Sequence, residues 1–192
     1  MSNEVRDDSL RRAKIAVEDI AKINDFDYFI TWTLDKTKID RYDPKEVSKK
    51  LKKFLNNMKS RNNLTYIITP ENHKDNAIHM HGLIKGNIEL VNSGKKTSDG
   101  KIKYNMPQWS FGYSTAIKIT GNKDHVARYI TKYISKDFHK IFGSFYYAGG
   151  KNLKRKPSTK LYHTNYEIVN SPEYIIEKAK IGFKYIDKPA LN

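Results

Sequence analysis

Apolar residues recur first at helical and then at alternating spacing. Over residues 10–24, Leu10, Ala13, Ile15, Ala16, Val17, Ile20, Ala21 and Ile23 fall close to a 3.6-residue period with a basic opposite side, which predicts a first helix. The turn-like Asn24-Asp25 follows. Residues 28–34 are rich in aromatic and β-branched side chains and predict a buried strand, with Tyr28, Ile30, Trp32 and Leu34 on one face and Thr31 and Thr33 on the other. Asp43-Pro44 reads as a helix N-cap and first-turn proline. Val47, Leu51, Phe54, Leu55 and Met58 continue that second helix to about residues 60–63.

Residues 64–71 and 78–84 are apolar-rich strand candidates separated by the polar His73-Lys74-Asp75-Asn76, the composition of a hairpin connection. Residues 94–103 are polar and glycine-punctuated and predict a mobile loop between strands. A fourth strand candidate covers residues 113–119. Gly121-Asn122 caps a third helix over residues 123–137, in which Val126, Ala127, Ile130, Ile134 and Phe138 form the apolar arc. Residues 151–160 make a lysine-dense loop, residues 171–180 predict one more short helix, and the last ten residues predict a frayed end. The series is α+β. It resembles a ferredoxin-like, mainly antiparallel sheet of about five strands with helices packed on one side.

Composition narrows the choice of partner. The chain of 192 residues is long enough for one domain with a sizeable core. Its 36 Lys and Arg against 21 Asp and Glu give a formal charge of +15, beyond what solubility requires, so nucleic acid is the expected partner. No apolar run is long enough to span a membrane, and the first ten residues lack the apolar segment of a secretory signal, so a cytoplasmic location is expected. Cysteine is absent, which leaves His, Asp and Glu as metal ligands.

Two constellations carry chemistry. In His79-Met80-His81 the imidazoles alternate with the core-facing Ile78 and Met80, so both point to one side of a strand. With the preceding turn centred on Asp75, Glu71 falls directly across from His79 on the same face. One carboxylate and two imidazoles suit Mg²⁺ or Mn²⁺, and Zn²⁺ also meets the ligand chemistry. Taken alone, such a pair is as often the polar outer face of a half-exposed strand.

The second constellation is Tyr129-Ile130-Thr131-Lys132-Tyr133-Ile134-Ser135-Lys136. Its tyrosines share one border of the apolar arc, with His125, Lys132 and Lys136 just beyond them. A phenol is a weak nucleophile, and attack requires a polarised target, a proton acceptor or nearby positive charge; Lys132 and Lys136 supply charge. On its own, a tyrosine pair at such a border is more often amphipathic packing.

Together the motifs resemble the HUH endonuclease superfamily, in particular the two-tyrosine rolling-circle replication initiators of small single-stranded DNA phages and prophages. Phe29-Ile30-Thr31-Trp32-Thr33-Leu34 is similar to its first-strand motif, His79-Met80-His81 with Glu71 to its metal motif, and the tyrosine segment to its nucleophile motif. The resemblance implies an HUH fold and tyrosine attack on origin single-stranded DNA. A 5′-phosphotyrosyl link and a free 3′-hydroxyl result, and the second tyrosine later rejoins the strand. It implies Glu71, His79 and His81 as metal ligands, Tyr129 and Tyr133 as nucleophiles, and Lys132 and Lys136 as phosphate-orienting supports. First attack is assigned to Tyr129, though no residue decides the order. The chain lacks a phosphate-binding glycine loop followed by Lys and Ser or Thr, so a host helicase and polymerase are the implied partners.

Trp109, Phe111, Tyr146 and Tyr147 interleave with Lys118, Lys151, Lys154, Arg155 and Lys156, a mixture suited to stacking bases while cations follow phosphates. Two other readings remain open. One is an HUH transposase or relaxase using the same chemistry; the other is a non-catalytic single-strand-binding domain.

Overall fold

The computed structural model describes residues 7–73, 75–134, 143–156, 173–176 and 181–184. Residues 1–157 and 158–192 form two compact units. The first is built as α1 (Asp7–Ile23), β1 (Tyr28–Leu34), α2 (Pro44–Asn62), β2 (Thr65–Asn72), β3 (Ile78–Lys85), β4 (Val91–Lys96), β5 (Ile102–Asn105), β6 (Gly112–Lys118), α3 (Lys123–Thr131) and β7 (Tyr147–Gly149). Its seven strands form one sheet in the order β4-β5-β6-β1-β3-β2-β7, with every neighbouring pair antiparallel. The α+β expectation is borne out. Among the described residues, no helix is long and apolar enough to cross a membrane.

The helix starts follow their sequence signals. Asp43 caps α2 by accepting from the Lys45 amide at 2.8 Å, with Pro44 in the first turn. Asn122 caps α3 in the same way, accepting from the Asp124 amide at 2.8 Å. Alternation sets the two faces of β1. Ile30, Trp32 and Leu34 are buried on one, where the Trp32 ring meets Phe54 of α2 edge-on at 5.2 Å. Phe29 on the opposite face meets Tyr129 of α3 at 5.3 Å, and α1 packs along α3. Helices therefore cover both faces rather than one. The central strands are apolar on both sides, and each face has to be shielded from water.

Central strands β1 and β3 pair closely, and Gly82 permits it. A Cβ there would lie 2.5 Å from the Ile67 carbonyl oxygen and from the Ile68 Cδ1 atom.

Several expectations need correction. The stretch 94–103 is not a loop throughout, because it contains the end of β4, the start of β5 and only a short turn between them. Most residues of these two strands are exposed, so no apolar alternation marked them. The third helix stops at Thr131 rather than running to residue 137, of which 135–137 lie outside the described residues. Ile15 was placed in the α1 stripe but is 50% exposed. In the second unit, Glu173–Ile176 is strand β8, not part of a helix, and pairs antiparallel with β9 (Ile181–Lys184). The β-preferring Tyr174-Ile175-Ile176 run outweighed the helical spacing. Residues 183 and 184, expected to fray, lie in β9, and the final eight are outside the described residues.

Candidate active site

The register of β2 and β3 sets Glu71 opposite His79 and Thr69 opposite His81, as counting back from a turn at Asp75 predicts. That turn is held by the Asp75 carboxylate, which accepts from the Ala77 amide at 3.1 Å, and by the His73 amide donating to the Ala77 carbonyl at 2.8 Å. On its other side β3 pairs with β1, setting Thr31 opposite His81 and Thr33 opposite His79. Paired residues share a face, so Glu71, His79, His81, Thr31 and Phe29 lie on the side covered by α3.

His81 is the most enclosed of the candidate ligands, with 12% of its side chain exposed. Its Nε2 lies 2.9 Å from the Glu71 Oε2 atom and its Nδ1 3.2 Å from the Thr31 hydroxyl. Burial first, and the neighbouring His79 second, push its pKa down to about 4, so the ring is neutral at physiological pH. The contact to Glu71 is therefore a hydrogen bond rather than an ion pair, with Nε2–H donating to the carboxylate and the Thr31 hydroxyl donating to Nδ1. Burial also raises the Glu71 carboxyl, and it lowers His79. His79 stacks on His73, with ring centroids 4.8 Å apart and planes within 18°.

One oxygen donor and two neutral imidazoles on one sheet face are the donors a divalent cation takes, and a cation would relieve the cost of the buried carboxylate. In that respect the residues fit. The side chains do not meet at one point, however, because Glu71 engages His81 while His79 turns to His73. Among the described residues, no three His, Cys, Asp or Glu side chains gather closely enough to hold a metal ion.

The tyrosines stand directly over this face. After Thr131 the amides of Lys132, Tyr133 and Ile134 bond three residues back, to the carbonyls of Tyr129, Ile130 and Thr131 at 3.1, 3.3 and 3.1 Å. Such a tightened turn rotates the chain by about 120° per residue instead of about 100° and carries Tyr133 round toward the sheet. Its ring stacks on His81 with centroids 3.7 Å apart and planes within 16°. Its hydroxyl donates to the Tyr129 hydroxyl at 3.0 Å. Burial, then that hydrogen bond, push the Tyr133 phenol well above its ordinary pKa, so it remains protonated and acts as a donor. Tyr129 is 38% exposed. The Lys132 ammonium lies 5.4 Å from the Tyr129 ring centre, while Lys136 lies outside the described residues.

The Replication-associated protein ORF2 family model matches residues 27–138. The chain belongs to this family. No curated protein and no solved structure matches it. The matched stretch of this replication-associated protein runs from just before β1 to beyond α3, and so includes Thr31, Glu71, His79, His81, Tyr129 and Tyr133.

Outside that cluster, the DNA-contact expectations divide. Trp109 is 3% exposed and stacks on Trp32 at 4.7 Å with planes within 8°, while its indole N–H donates to the Thr33 carbonyl at 3.3 Å. This is a correction: its ring is committed to the core and offers no face to a base. Phe111 is half-buried against Phe54 and Trp109. Both stand with α2, across the sheet from the tyrosines. Lys151, Lys154, Arg155 and Lys156 are exposed. Asn24 ties the loop to the end of α1, donating to the Lys154 carbonyl at 2.8 Å and accepting from its amide at 2.9 Å. Arg155 is partly engaged, donating to the Ala148 carbonyl at 2.7 Å. Residues 157–160 of the predicted loop lie outside the described residues.

Sequence reasoning gave no role to Thr31 or Phe29. Thr31 was detectable from strand alternation, since it shares a face with Thr33 and stands in the strand beside the His-Met-His motif. Phe29, which touches both tyrosines, would have needed knowledge of where α3 packs.

Proposed function

We propose that this replication-associated protein is an HUH-type, two-tyrosine initiator of rolling-circle replication that nicks and rejoins origin single-stranded DNA. The observation that carries this reading is the position of Tyr133, whose ring lies on His81 while its hydroxyl reaches the Tyr129 oxygen. The nucleophile pair and the candidate ligand face thus adjoin, as a shared phosphate requires.

Tyr129, the more exposed phenol, attacks first. Its oxygen bonds to phosphorus and its proton leaves to water. The bond from phosphorus to the 3′-oxygen breaks, giving a 5′-phosphotyrosyl link and a 3′-hydroxyl that primes synthesis. As negative charge grows on the Tyr129 oxygen, the Tyr133 hydroxyl stabilises it by hydrogen bonding, and Lys132 adds positive charge beside the ring. Lys136 is proposed to serve Tyr133 in the same way when the second phenol acts. Glu71, His79 and His81 would hold a divalent ion, Mg²⁺ or Mn²⁺, which when bound polarises phosphate oxygens. Thr31 fixes the His81 ring in place. The exposed Lys151, Lys154, Arg155 and Lys156 follow the DNA backbone, and a host helicase and polymerase extend the product in the cytoplasm.

An end-labelled single strand covering the replicon's origin tests the reading. The wild-type protein should form a covalent adduct that needs a divalent ion and disappears when Tyr129 and Tyr133 are both replaced by phenylalanine. An undiminished adduct in that double variant would remove both tyrosines from the chemistry.

A further inference from the structure

The β4–β5 hairpin, which the reading above leaves without a task, ends in a turn built to hold its shape. The Thr97 amide donates to the Lys101 carbonyl at 2.8 Å, the Lys101 amide to the Thr97 hydroxyl at 2.9 Å, and the Gly100 amide to the Thr97 carbonyl at 3.0 Å. Gly100 takes φ +81°, a conformation that favours glycine. Asp99 sits in this turn, accepting from the Thr97 hydroxyl and paired with the Lys101 ammonium at 3.1 Å. These partners keep its carboxyl ionised, chiefly the Thr97 hydroxyl and then Lys101.

The turn forms one wall of a cleft of about 460 Å³. The other walls come from β6 and α3 and include Ile117, His125 and Tyr129, with Phe29 from β1. That volume falls in the range of roughly 300–1,000 Å³ typical of small-molecule pockets. Phe29 and Ile117 are half-buried, while Asp99, Lys101 and His125 are exposed. Half-buried aromatic and apolar surfaces beside exposed charge suit a flat heterocycle joined to a phosphate. Tyr129 belongs to both the cleft and the phenol pair, so an occupant of one lies within a nucleotide's reach of the other.

We propose that this cleft is a base-reading subsite, which takes the nucleobase next to the attacked phosphate after it has turned out of the strand. The proposal rests on Tyr129 being the nucleophile and gives the hairpin its role. The Asp99 carboxylate uses two of its roughly four acceptor positions within the turn, leaving others for a base. It accepts from an exocyclic amine, which cytosine, adenine and guanine carry and thymine lacks, so thymine binds worst.

Two measurements on the full chain test this. A random-sequence single strand containing 5-iodocytosine, irradiated on the protein, should crosslink to peptides holding residues 97–101 or 125–129. Crosslinks confined to other peptides overturn the proposal, and because this step needs no cleavage it decides the cleft even if no phosphotyrosine adduct ever forms. Once a nick is mapped, an abasic site is walked across it in short oligonucleotides and binding is read by fluorescence anisotropy. One position beside the nick should lose about tenfold in affinity, and thymine there should approach the same loss. Asp99→Ala, on an exposed turn, should weaken the intact strand by a similar factor and leave the abasic strand unaffected. Equal losses on both strands, or none on either, would show that the carboxylate reads no base. Adducts with no position-dependent loss would overturn the subsite while leaving the nicking reading intact.

Discussion

Tyr133 donates its hydroxyl to the oxygen of Tyr129 at 3.0 Å, so the two phenols are chemically unequal before any DNA arrives. The donor is buried against His81 and holds its proton; the acceptor is the more exposed of the two. Tyr133→Phe should therefore leave Tyr129 able to form the first adduct but remove a hydrogen bond to its reacting oxygen. The expected rate is slower by about tenfold, less than the loss of a fully buried oxyanion donor. Tyr129→Phe should reduce the first adduct far more. Single-turnover adduct formation on the same oligonucleotide measures both, and equal losses would argue against an ordered pair.

Protonation of His81 should set the acid limit of stability. Its folded pKa of about 4 lies below the ordinary 6.5, so between those values the unfolded chain binds more protons than the folded one. Stability then rises with pH across that window and is flat above it. For this residue the total is at most about 3 kcal/mol. Glu71, whose carboxyl is raised, works the opposite way at the acid end and reduces the net effect. Urea unfolding of chelator-treated protein at several pH values between 7 and 4 should show the slope, and His81→Asn should flatten it. A wild-type profile already flat there would contradict a neutral buried ring.

Trp109 and the 151–156 loop should separate stability from DNA binding. Trp109→Ala removes a stacked core indole and should cost about 3–5 kcal/mol in urea unfolding. Trp109→Phe should remain folded and bind single strands with unchanged affinity. Lys151→Ala, Lys154→Ala and Lys156→Ala should leave stability nearly unchanged but each reduce the salt dependence of binding. The expected change is about 0.7 in log–log slope for every phosphate that is no longer neutralised. If Trp109→Phe weakened binding and the lysine variants did not, the basic loop would lose its assigned role.

The parts of this site that were legible in the sequence are those fixed by counting. Side-chain alternation is strict, and the connection from Glu71 to His79 is short, so one assumption about the turn at Asp75 places them face to face. The tyrosines' shared side was equally countable, but the tightening after Thr131 that lays Tyr133 on His81 was not. That change depends on what the end of α3 packs against, which no local spacing encodes. The β4–β5 hairpin was hidden because its strands have no buried face to impose a pattern. Trp109 misled for the opposite reason: an aromatic near lysines reads alike whether its ring stacks on a base or on Trp32, and only the fold distinguishes them.

Metal binding can be tested without any reaction. A ligand that binds only the folded state raises its stability by RT ln(1 + [L]/Kd), about 2.7 kcal/mol at a hundredfold excess over Kd. Mn²⁺ or Mg²⁺ added to chelator-treated protein should therefore raise Tm in a saturable way. To accept an ion, Glu71 has to release His81, and His79 has to leave its stack on His73. His81→Ala and Glu71→Ala should abolish the shift, and His79→Ala should weaken it. His73→Ala should strengthen it, since that change frees the His79 ring from a competing contact without removing a ligand. His81→Ala should also stop adduct formation while single-strand affinity persists. If Mn²⁺ shifted Tm equally in wild type and His81→Ala, the ion would be bound elsewhere and the three-residue ligand set would have to be abandoned.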